Sequence, residues 1–478
     1  MSLLKRISFK DQAFQQREDA ILDAATRILT NRGFDLMTMD EVATDVGVSK
    51  PSLYKHFKSK EELAGECMIR LLDGANETLA ALPDIDAFEP AQLGPLTLRN
   101  RVIKAATFEG VMPRGAVTDE LIEFHTTVAR GGAALSTVAY CAVSMGGRVS
   151  SDTMVMTESL IGDLQRLTSA VHAEGALVSA QLGHAGLVAQ SQSKRHPSLA
   201  PSGRFSAPAK GWVKGATRRD LDEVVADFER AARVAIDAGF DALEIHLAHN
   251  YLLSSFFSPN LNRRRDEFGG TIENRATFPR RVVDAVRRVA DGKVAVLAKF
   301  NMADGVERGL WLEESLQFAQ LLEQDGALDA LELTGGSSLL NGMYYFRGDV
   351  PLREFAAAQG PIVGLGVRAF GRRILPELPF EEAFFLPFAR QFRRELDMPL
   401  ILLGGINERA TIDGALGEGF EFVAMARALL REPDLVNRMA TSPNAVGLCV
   451  HCNKCMATIY SRTHCVLATG ADGTGSGR

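Results

Sequence analysis

In the segment EIHLAHNYLL, residues 244–253, a mainly apolar stretch gives way to polar residues, and the fold prediction starts from this change. The apolar stretch is typical of a buried strand. Polar groups at the end of such a strand indicate side chains that lie at the edge of a catalytic site. His246 and His249 can both donate N–H groups to one carbonyl or phenolate oxygen, and Tyr251 follows as a proton donor. The alternatives are a core histidine beside a surface histidine, and a Tyr251 ring that only packs at the rim.

Eight such runs follow residue 84, and amphipathic helices such as 221–238 and 275–290 lie between them. We predict strands at Val102–Ala106, Ala134–Ala139, Leu177–Leu182, Ala242–His246, Val294–Phe300, Ala330–Thr334, Leu400–Leu403 and Phe422–Met425. This alternation predicts an α/β fold, a (β/α)8 TIM barrel, with a doubly wound sheet as the alternative. The polar residues of the strand ends would then share one face: Gln181, His246, Lys299, Thr334, Gly404, Gly405 and Arg427.

A small all-helical module is predicted before the barrel, in residues 1–83. Capping patterns at Thr38 and Ser59 open helices, and Gly33 and Gly47 are suited to end them. Two short helices joined through a glycine-containing turn, with basic and hydroxyl groups at the start of the second, match what entry into the DNA major groove requires. The alternatives are a helical oligomerisation cap with solvated lysines, or a fused module that folds and binds nothing.

The totals set the limits of these predictions. A chain of 478 residues with 46% hydrophobic content predicts at least two domains, and the net charge of -6 gives no global reason to expect nucleic-acid or membrane binding. No apolar run is long enough to span a membrane, so we expect a soluble cytoplasmic protein. We predict domains at 1–83 and 84–445, a cysteine-rich segment at 446–466 and a disordered tail at 467–478.

Four of the six cysteines crowd into the segment after the barrel: Cys449, Cys452, Cys455 and Cys465. In a chain without an export signal this clustering indicates metal or redox chemistry rather than structural disulfides. Four thiolates so placed can enclose an iron–sulfur cluster or a structural zinc ion, and the third alternative is that they bind no metal.

The sequence TMDEVATDVGVSKPSLYKHFKSKEEL, residues 38–63, resembles the DNA-binding domain of the tetracycline-repressor (TetR) family. The resemblance covers roughly 50 residues and implies DNA contacts, made through residues 38–60. It places these residues at or near the DNA: Ser49, Lys50, Ser52, Tyr54, Lys55 and His56. Regulators of that family continue into a helical dimerisation domain, whereas here the helical pattern stops near Pro83, so we expect a homo-oligomer formed elsewhere in the chain.

The sequence HLAHNYLLSSFFSPNLNRRRDEFGGTIENR, residues 246–275, closely resembles the old yellow enzyme family of FMN-dependent oxidoreductases. Supporting matches are LGPLTLRNRVIKAAT (93–107), AQLGHAG (180–186) and FVAMARALLREPDL (422–435), and the nearest branch is that of 2,4-dienoyl-CoA reductase and the bacterial ene-reductases. The resemblance implies FMN, bound by Ala105, Ala106, Thr107, Gln181, Lys299, Gly404, Gly405, Ala426 and Arg427. Lys299 stands where many relatives carry Arg, and the non-polar Phe108 leaves Thr107 to make the contact that tunes the flavin.

By the same resemblance His246 and His249 would hold the carbonyl oxygen of an activated alkene, and Tyr251 would protonate its α-carbon. The cysteine spacing resembles the [4Fe–4S] motif of dienoyl-CoA reductase and trimethylamine dehydrogenase. Those relatives continue into a further FAD- and pyridine-nucleotide-binding region that does not follow here, so electrons would come directly from NAD(P)H or from a separate donor protein. We therefore predict an NAD(P)H-dependent ene-reductase acting on an enone or enoyl substrate, with a flavin-based redox- or ligand-sensing transcriptional regulator as the alternative.

Overall fold

The computed structural model describes residues 9–34, 37–81, 85–190, 192–358, 361–459 and 461–468. The chain divides into two compact units, Met1–Asp84 and Ile85–Arg478. Each unit has its own apolar core. The predicted segment 446–466 belongs to the second unit, and of the predicted tail, residues 469–478 lie outside the described residues.

The described part of the first unit is helical: α1 (Phe9–Arg32), α2 (Met39–Val46), α3 (Lys50–Leu53) and α4 (Lys60–Ala81). The predicted caps are present, because the hydroxyls of Thr38 and Ser59 each accept a backbone N–H of the following first turn, at 3.2 and 3.1 Å. Gly33 and Gly47 follow α1 and α2 with φ of 77° and 73°, a conformation that side chains disfavour. Local capping signals therefore fix where these helices begin and end.

One small core holds these four helices together. Ile21 of α1, Val42 of α2, Leu53 of α3 and Leu63 of α4 are completely buried. The one-turn helix α3 buries only Leu53, so residues 49–52 lie at or near the surface of the module. The result is the predicted arrangement of two short helices around a glycine-containing turn.

The strands of the second unit are β1 (Ala91–Leu93), β2 (Leu96–Leu98), β3 (Val102–Lys104), β4 (Leu135–Ala142), β5 (Leu177–Gly183), β6 (Leu199–Ala200), β7 (Arg204–Ser206), β8 (Gly211–Gly215), β9 (Ala242–Leu247), β10 (Ala295–Asn301), β11 (Ala330–Thr334), β12 (Leu400–Leu403) and β13 (Phe422–Met425). β3, β4, β5, β9, β10, β11, β12 and β13 form a closed barrel in chain order, and each neighbouring pair is parallel. All eight predicted strands are confirmed, and the doubly wound alternative is wrong because the sheet closes.

The helices of this unit are α5 (Asp119–Arg130), α6 (Ile161–Ala173), α7 (Arg218–Asp237), α8 (Leu252–Phe257), α9 (Ile272–Ala290), α10 (Leu312–Asp325), α11 (Leu352–Ala358), α12 (Pro361–Ile374), α13 (Leu386–Glu395), α14 (Arg409–Gly417), α15 (Arg427–Arg431), α16 (Leu435–Thr441) and α17 (Cys455–Thr458). The two predicted helices, 221–238 and 275–290, correspond to α7 and α9. Each begins three residues earlier, because Thr217 and Thr271 cap their first turns.

Two small sheets lie outside the barrel and were not predicted. β1 and β2 form an antiparallel hairpin, and β6, β8 and β7 form a three-stranded sheet. Within the barrel, every residue of β4, β9, β10 and β11 is buried, which explains why the barrel strands are near-continuous apolar runs. The charged and amide side chains inside these strands are therefore exceptions, and they gather at the site described next.

Candidate functional site

A cavity of about 620 Å³ opens at the carboxyl ends of the barrel strands, the end of a TIM barrel where binding sites form. Its lining includes every residue predicted to bind the cofactor or to act on the substrate: Ala105, Ala106, Thr107, Gln181, His246, His249, Tyr251, Lys299, Gly404, Gly405, Ala426 and Arg427. Residues more than 300 positions apart in the chain thus share one cavity.

Five rings form a connected cluster at the mouth of β9. The ring of Tyr251 stacks on His246 with centroids 4.3 Å apart, and His249 lies 5.3 Å from His246 at a steep angle. Tyr345 lies 4.6 Å from His249, and Tyr140 lies 5.5 Å from Tyr251. The two imidazoles and the phenol therefore lie within contact range of one another, as the sequence predicts.

The hydrogen bonds of the histidines determine what they can donate. The backbone N–H of Ala248 donates to Nδ1 of His246 at 3.3 Å, so the neutral ring carries its proton on Nε2. The Nε2 of His249 lies 3.2 Å from the Thr334 hydroxyl at the end of β11, which orients that ring. His246 can therefore donate an N–H into the cavity without being charged.

Burial keeps these rings uncharged. It lowers the pKa of His246 to about 3, with a smaller contribution from the nearby Lys299 ammonium. The pKa of His249 lies well below its ordinary value for the same reasons, because burial, His246 and Lys299 all disfavour its charged form. Burial likewise raises the pKa values of Tyr251 and Tyr140, so both phenols keep their protons at neutral pH.

A buried carboxylate holds the turn that carries His249. His249 and Asn250 have φ of 60° and 59°, a left-handed conformation that is uncommon outside glycine. Asp304 accepts hydrogen bonds from Asn250 and Asn301 at 2.9 Å each and from Ser258 at 2.6 Å. The surrounding network therefore over-determines a turn that the backbone alone would disfavour.

A buried charge cluster surrounds Lys299, which lines the cavity. The Nζ of Lys299 pairs with the carboxylate of Glu332 and lies 3.6 Å from that of Glu244, and Gln181 donates to Glu244 at 2.5 Å. Burial raises the pKa of Glu244 to about 8 against the opposing effect of Lys299. Burial lowers the pKa of Lys299, but the two carboxylates outweigh it and the net shift is upward. Lys299, which stands where many relatives carry Arg, is therefore part of a buried network with two carboxyl groups.

The opposite end of the cavity, after β12 and β13, is suited to an anion. Gly404 and Gly405 have φ of 113° and 77°, and a Cβ at these positions would collide with the rings of Phe385 and Phe384. Arg427 begins α15 and is half-buried, partial loss of solvent lowers its pKa, and its Nη1 donates to the carbonyl of residue 347 at 3.1 Å. Only glycine fits at positions 404 and 405. These two glycines line the same cavity as the Arg427 guanidinium.

Residues 86–332, just over half of the chain, match the model of the NADH:flavin oxidoreductase / NADH oxidase family. The chain belongs to this family. It is 67% identical over 390 residues to a 4,4'-dithiodibutanoate disulfide reductase of Rhodococcus erythropolis, an alignment that covers 82% of this chain and 96% of that protein. It is 29% identical to an NADPH dehydrogenase of Geobacillus sp., covering 72% of this chain and 91% of the relative.

Among solved structures, a 2-naphthoyl-CoA reductase superimposes with a TM-score of 0.67 at 20% identity, covering 79% of this chain and 56% of that one. Morphinone reductase superimposes with a TM-score of 0.58 at 23% identity, covering 77% and 93%. At these identities the two structures support the fold alone. The family assignment itself rests on the sequence matches.

The residues of this NADH:flavin oxidoreductase fit a flavin mononucleotide. The end of the cavity that suits a phosphate has room because residues 404 and 405 are glycines, where any Cβ would collide with a phenylalanine ring. Arg427 supplies a cation at the same end. The short side chains of Ala105 and Ala106 leave space at the end of β3, and Gln181 supplies a polar edge on β5. Small residues at the end of β3, an amide on β5 and a cation at the glycine turn are thus groups that suit the ring, polar edge and phosphate of a flavin mononucleotide.

The four clustered cysteines line a small pocket together with Arg427 and Arg431. Among the described residues, no group of three or more His, Cys, Asp or Glu side chains is arranged to hold a metal ion. Cys455, His451 and Arg427 line both this pocket and the large cavity, so the two sites adjoin.

The surface of α3 differs in one respect from the prediction. Ser49, Lys50, Tyr54 and Lys55 are exposed and Ser52 is half-buried, and the Lys50 ammonium pairs with Asp40 at 2.8 Å. His56 is the exception, because its side chain is only 3% exposed and its Nδ1 lies 3.3 Å from a carboxylate of Glu18 in α1. The His56 ring therefore belongs to the packing of the module. Residues 21–67 match the family of bacterial regulatory proteins of the tetR type.

Sequence reasoning missed several residues of the site, namely Tyr140, Tyr345, Ser338, Glu332 and Lys104. Tyr140 and Lys104 lie inside runs that are otherwise apolar, and Glu332 lies between two leucines of β11. A polar residue inside a strand buried on both faces is the signal that could have found them. Tyr345 and Ser338 lie on the loop after β11, where only the closed barrel shows that they meet His249.

No helix in the part of the chain that the structure describes is long and apolar enough to cross a membrane.

Proposed function

We propose that this chain is an FMN-dependent NAD(P)H oxidoreductase that reduces small organic molecules carrying an activated C=C bond. FMN supplies the two-electron chemistry, taking a hydride from NAD(P)H and giving it to the second substrate. The observation that supports the proposal is the cluster of His246, His249 and Tyr251 at the mouth of the cavity, all uncharged, with the His246 ring in contact with both others. Ene reduction needs neutral donors for an oxygen and a proton for a carbon, and this cluster supplies both.

The residues would divide this work as follows. The imidazoles of His246 and His249 bind the carbonyl oxygen of the substrate and stabilise the negative charge that develops on it. Tyr251 donates its proton to the α-carbon, and its raised pKa keeps the hydroxyl protonated until that step. Thr334 and Asp304 hold His249 in place from two sides, directly and through its turn.

The cofactor would be held along the length of the cavity. We assign Ala105, Ala106 and Thr107 to one side of the ring system, and Gln181 and Lys299 to its polar edge. Gly404, Gly405, Ala426 and Arg427 would hold the phosphate. The support is that all of them line one cavity and that the two glycines have no tolerated substitute.

An organic disulfide is a second candidate substrate, supported by the 67% identity to a 4,4'-dithiodibutanoate disulfide reductase. A hydride and one proton convert a disulfide into two thiols. The leaving thiolate needs only charge stabilisation, because its pKa of about 8.5 makes it a good leaving group. The His246 and His249 donors suffice for that reaction, whereas protonation of a carbon by Tyr251 is specific to the alkene.

Anaerobic oxidation of NADH and NADPH by the purified protein distinguishes the two substrates. 2-Cyclohexenone and 4,4'-dithiodibutanoate are compared as acceptors by kcat/KM, with FMN content measured in the same preparation. We expect turnover of the enone, and a preference of more than about 100-fold for the disulfide would reject the alkene proposal in favour of disulfide reduction. A folded protein that neither carries nor takes up FMN would reject both.

The cysteine segment is proposed to bind a [4Fe–4S] cluster beside the flavin. Its support is the single pocket lined by Cys449, Cys452, Cys455 and Cys465, which adjoins the flavin cavity. Iron and sulfide analysis of anaerobically purified protein tests this, with about four irons per chain expected. Zinc in place of iron, or an absorption spectrum with flavin bands alone, would reject the cluster proposal. A separate electron-donor protein is proposed only if the cluster is present.

The helical module is proposed to bind DNA through Ser49, Lys50, Ser52, Tyr54 and Lys55, in a homo-oligomer. Its support is the exposed basic surface of α3 and the match of residues 21–67 to tetR-type regulators. The alternative function, a flavin-based regulator, requires that operator affinity change with the redox or ligand state of the barrel. Binding to DNA from upstream of its own gene, measured with oxidised and with reduced protein, distinguishes the regulator from an enzyme with a passive module.

A further inference from the structure

Lys104 is a completely buried lysine at the end of β3. Its Nζ donates to the carbonyl of Ala105 at 2.6 Å and to the hydroxyl of Thr107 at 2.8 Å, and it lies 5.4 Å from the centre of the Phe124 ring. These partners are all uncharged. Among the residues that the structure describes, no carboxylate forms an ion pair with Lys104, in contrast to Lys299, which contacts two.

An ammonium buried without a counter-ion is costly, and proteins normally pair such a group or replace it with an apolar residue. Methionine has similar length and would fill the same space. Burial lowers the pKa of Lys104 to about 8. Glu109, Glu332 and Glu244 favour its charged form, and Lys299 opposes it. Among the described residues none of these carboxylates forms an ion pair with Lys104, so a further negative charge bound in the adjoining cavity would favour its charged form.

Thr107 connects this cation to the cavity. Its side chain lines the cavity, and because its oxygen accepts from Lys104, its own O–H is free to donate toward a bound group. The ammonium polarises that O–H, so the hydrogen bond that Thr107 donates becomes stronger when its acceptor is negative. Lys104 thus acts on the cavity without touching its contents.

We propose that Lys104 is a positioning residue that stabilises the reduced cofactor through Thr107, by compensating the negative charge gained in two-electron reduction. The inference rests on the proposed binding of FMN. Hydride transfer from NAD(P)H gives NAD(P)+ and a reduced flavin carrying one negative charge, with no further proton required. Lys299 already pairs with the Glu332 carboxylate, so Lys104 would supply a positive charge in addition to that of Lys299.

The midpoint potential of bound FMN in the full-length protein tests the proposal. Lys104→Met removes the charge and keeps the length, and Lys293→Met removes a comparable charge from an exposed lysine and serves as the control. We expect Lys104→Met to reduce the preference for reduced over oxidised FMN at least tenfold, a shift of about 30 mV to more negative potential. We expect the control to leave the potential unchanged, and the apoprotein of Lys104→Met to be more resistant to urea than the wild type.

The outcomes separate this inference from the proposed function. A wild-type protein without FMN would reject the proposed function, whereas FMN bound to Lys104→Met at an unchanged potential would overturn the inference alone. Should Lys104→Met fail to fold, Lys104→Gln is measured in the same way. Loss of the fold in both variants would show that Lys104 is structural, and would also overturn the inference.

Discussion

His246 illustrates how a buried imidazole couples chemistry to stability. Its pKa is lowered to about 3 in the folded protein, mainly by burial, while an unfolded chain gives histidine its ordinary value of about 6.5. Between these values the unfolded state binds the proton and the folded state does not. Stability therefore decreases as the pH falls below about 6.5, and the loss continues until the folded-state pKa is reached.

Replacing His246 with Leu should remove this pH dependence. At pH 5 the difference in proton binding amounts to about 2 kcal/mol, so the stability lost between pH 8 and pH 5 should be smaller by that amount in the variant. Urea unfolding at the two pH values measures it. The same substitution should lower the rate of substrate reduction about 100-fold, because one donor to the developing charge is lost. An unchanged pH dependence of stability would contradict a neutral, buried His246.

Tyr251 separates the two candidate substrates. Tyr251→Phe keeps the ring that stacks on His246 and removes only the proton donor. We expect alkene reduction to fall about 100-fold, since general acid catalysis contributes 10²–10⁴ in rate, while disulfide reduction stays within a few-fold of the wild type. Stopped-flow reoxidation of the reduced protein by each acceptor measures this, and Tyr345→Phe serves as a matched phenol control. Equal losses with both acceptors would contradict the assigned role.

At the scale of elements, the sequence predicts the parts that depend on repeated local patterns. The barrel strands are visible because each is an apolar run buried on both faces, as in β9 and β10. The hairpin of β1 and β2 is only three residues a strand, too short for a pattern to appear. Lys104 was not predicted because the apolar run served only to assign a strand, and the charged residue within it was not treated as an exception.

In the turn after β12, the backbone conformation and the proposed binding of the FMN phosphate both depend on Gly404. Gly404 has φ of 113°, and a Cβ there would overlap the ring of Phe385. Gly404→Ala should therefore lower stability by about 1–3 kcal/mol and weaken FMN binding, as measured by thermal unfolding and by flavin titration. Gly414→Ala in α14 is the control, because nothing lies within 4 Å of its Cβ and it should stabilise the protein by up to about 1 kcal/mol. Full FMN affinity in Gly404→Ala would show that the turn does not hold the phosphate.

At the scale of the whole molecule, sequence alone could establish that two units exist and which families they resemble, because each unit has its own motifs. It could not establish His56 as a packing residue, since the burial of that ring depends on Glu18 in a different helix. It also could not distinguish an activated alkene from a disulfide, because the proposed donors, His246 and His249, would serve both. Sequence alone also does not show whether the redox state of the barrel unit changes DNA binding by the helical unit, and this requires a measurement on the intact chain.

Lys55 provides that measurement. It is exposed on the helical module, so Lys55→Ala should weaken binding to upstream DNA and reduce the slope of log affinity against log salt by about 1, through loss of one phosphate contact. Reduction of the second substrate should be unchanged, because the proposed active site lies in the barrel cavity. Lys293→Ala, an exposed lysine of the barrel unit, should change neither quantity and so controls for net charge. If Lys55→Ala leaves both affinity and salt slope intact, the module does not contact DNA through this surface. If the slope falls and the affinity of the wild type also changes when the flavin is reduced, the two units are coupled and the chain is a regulator.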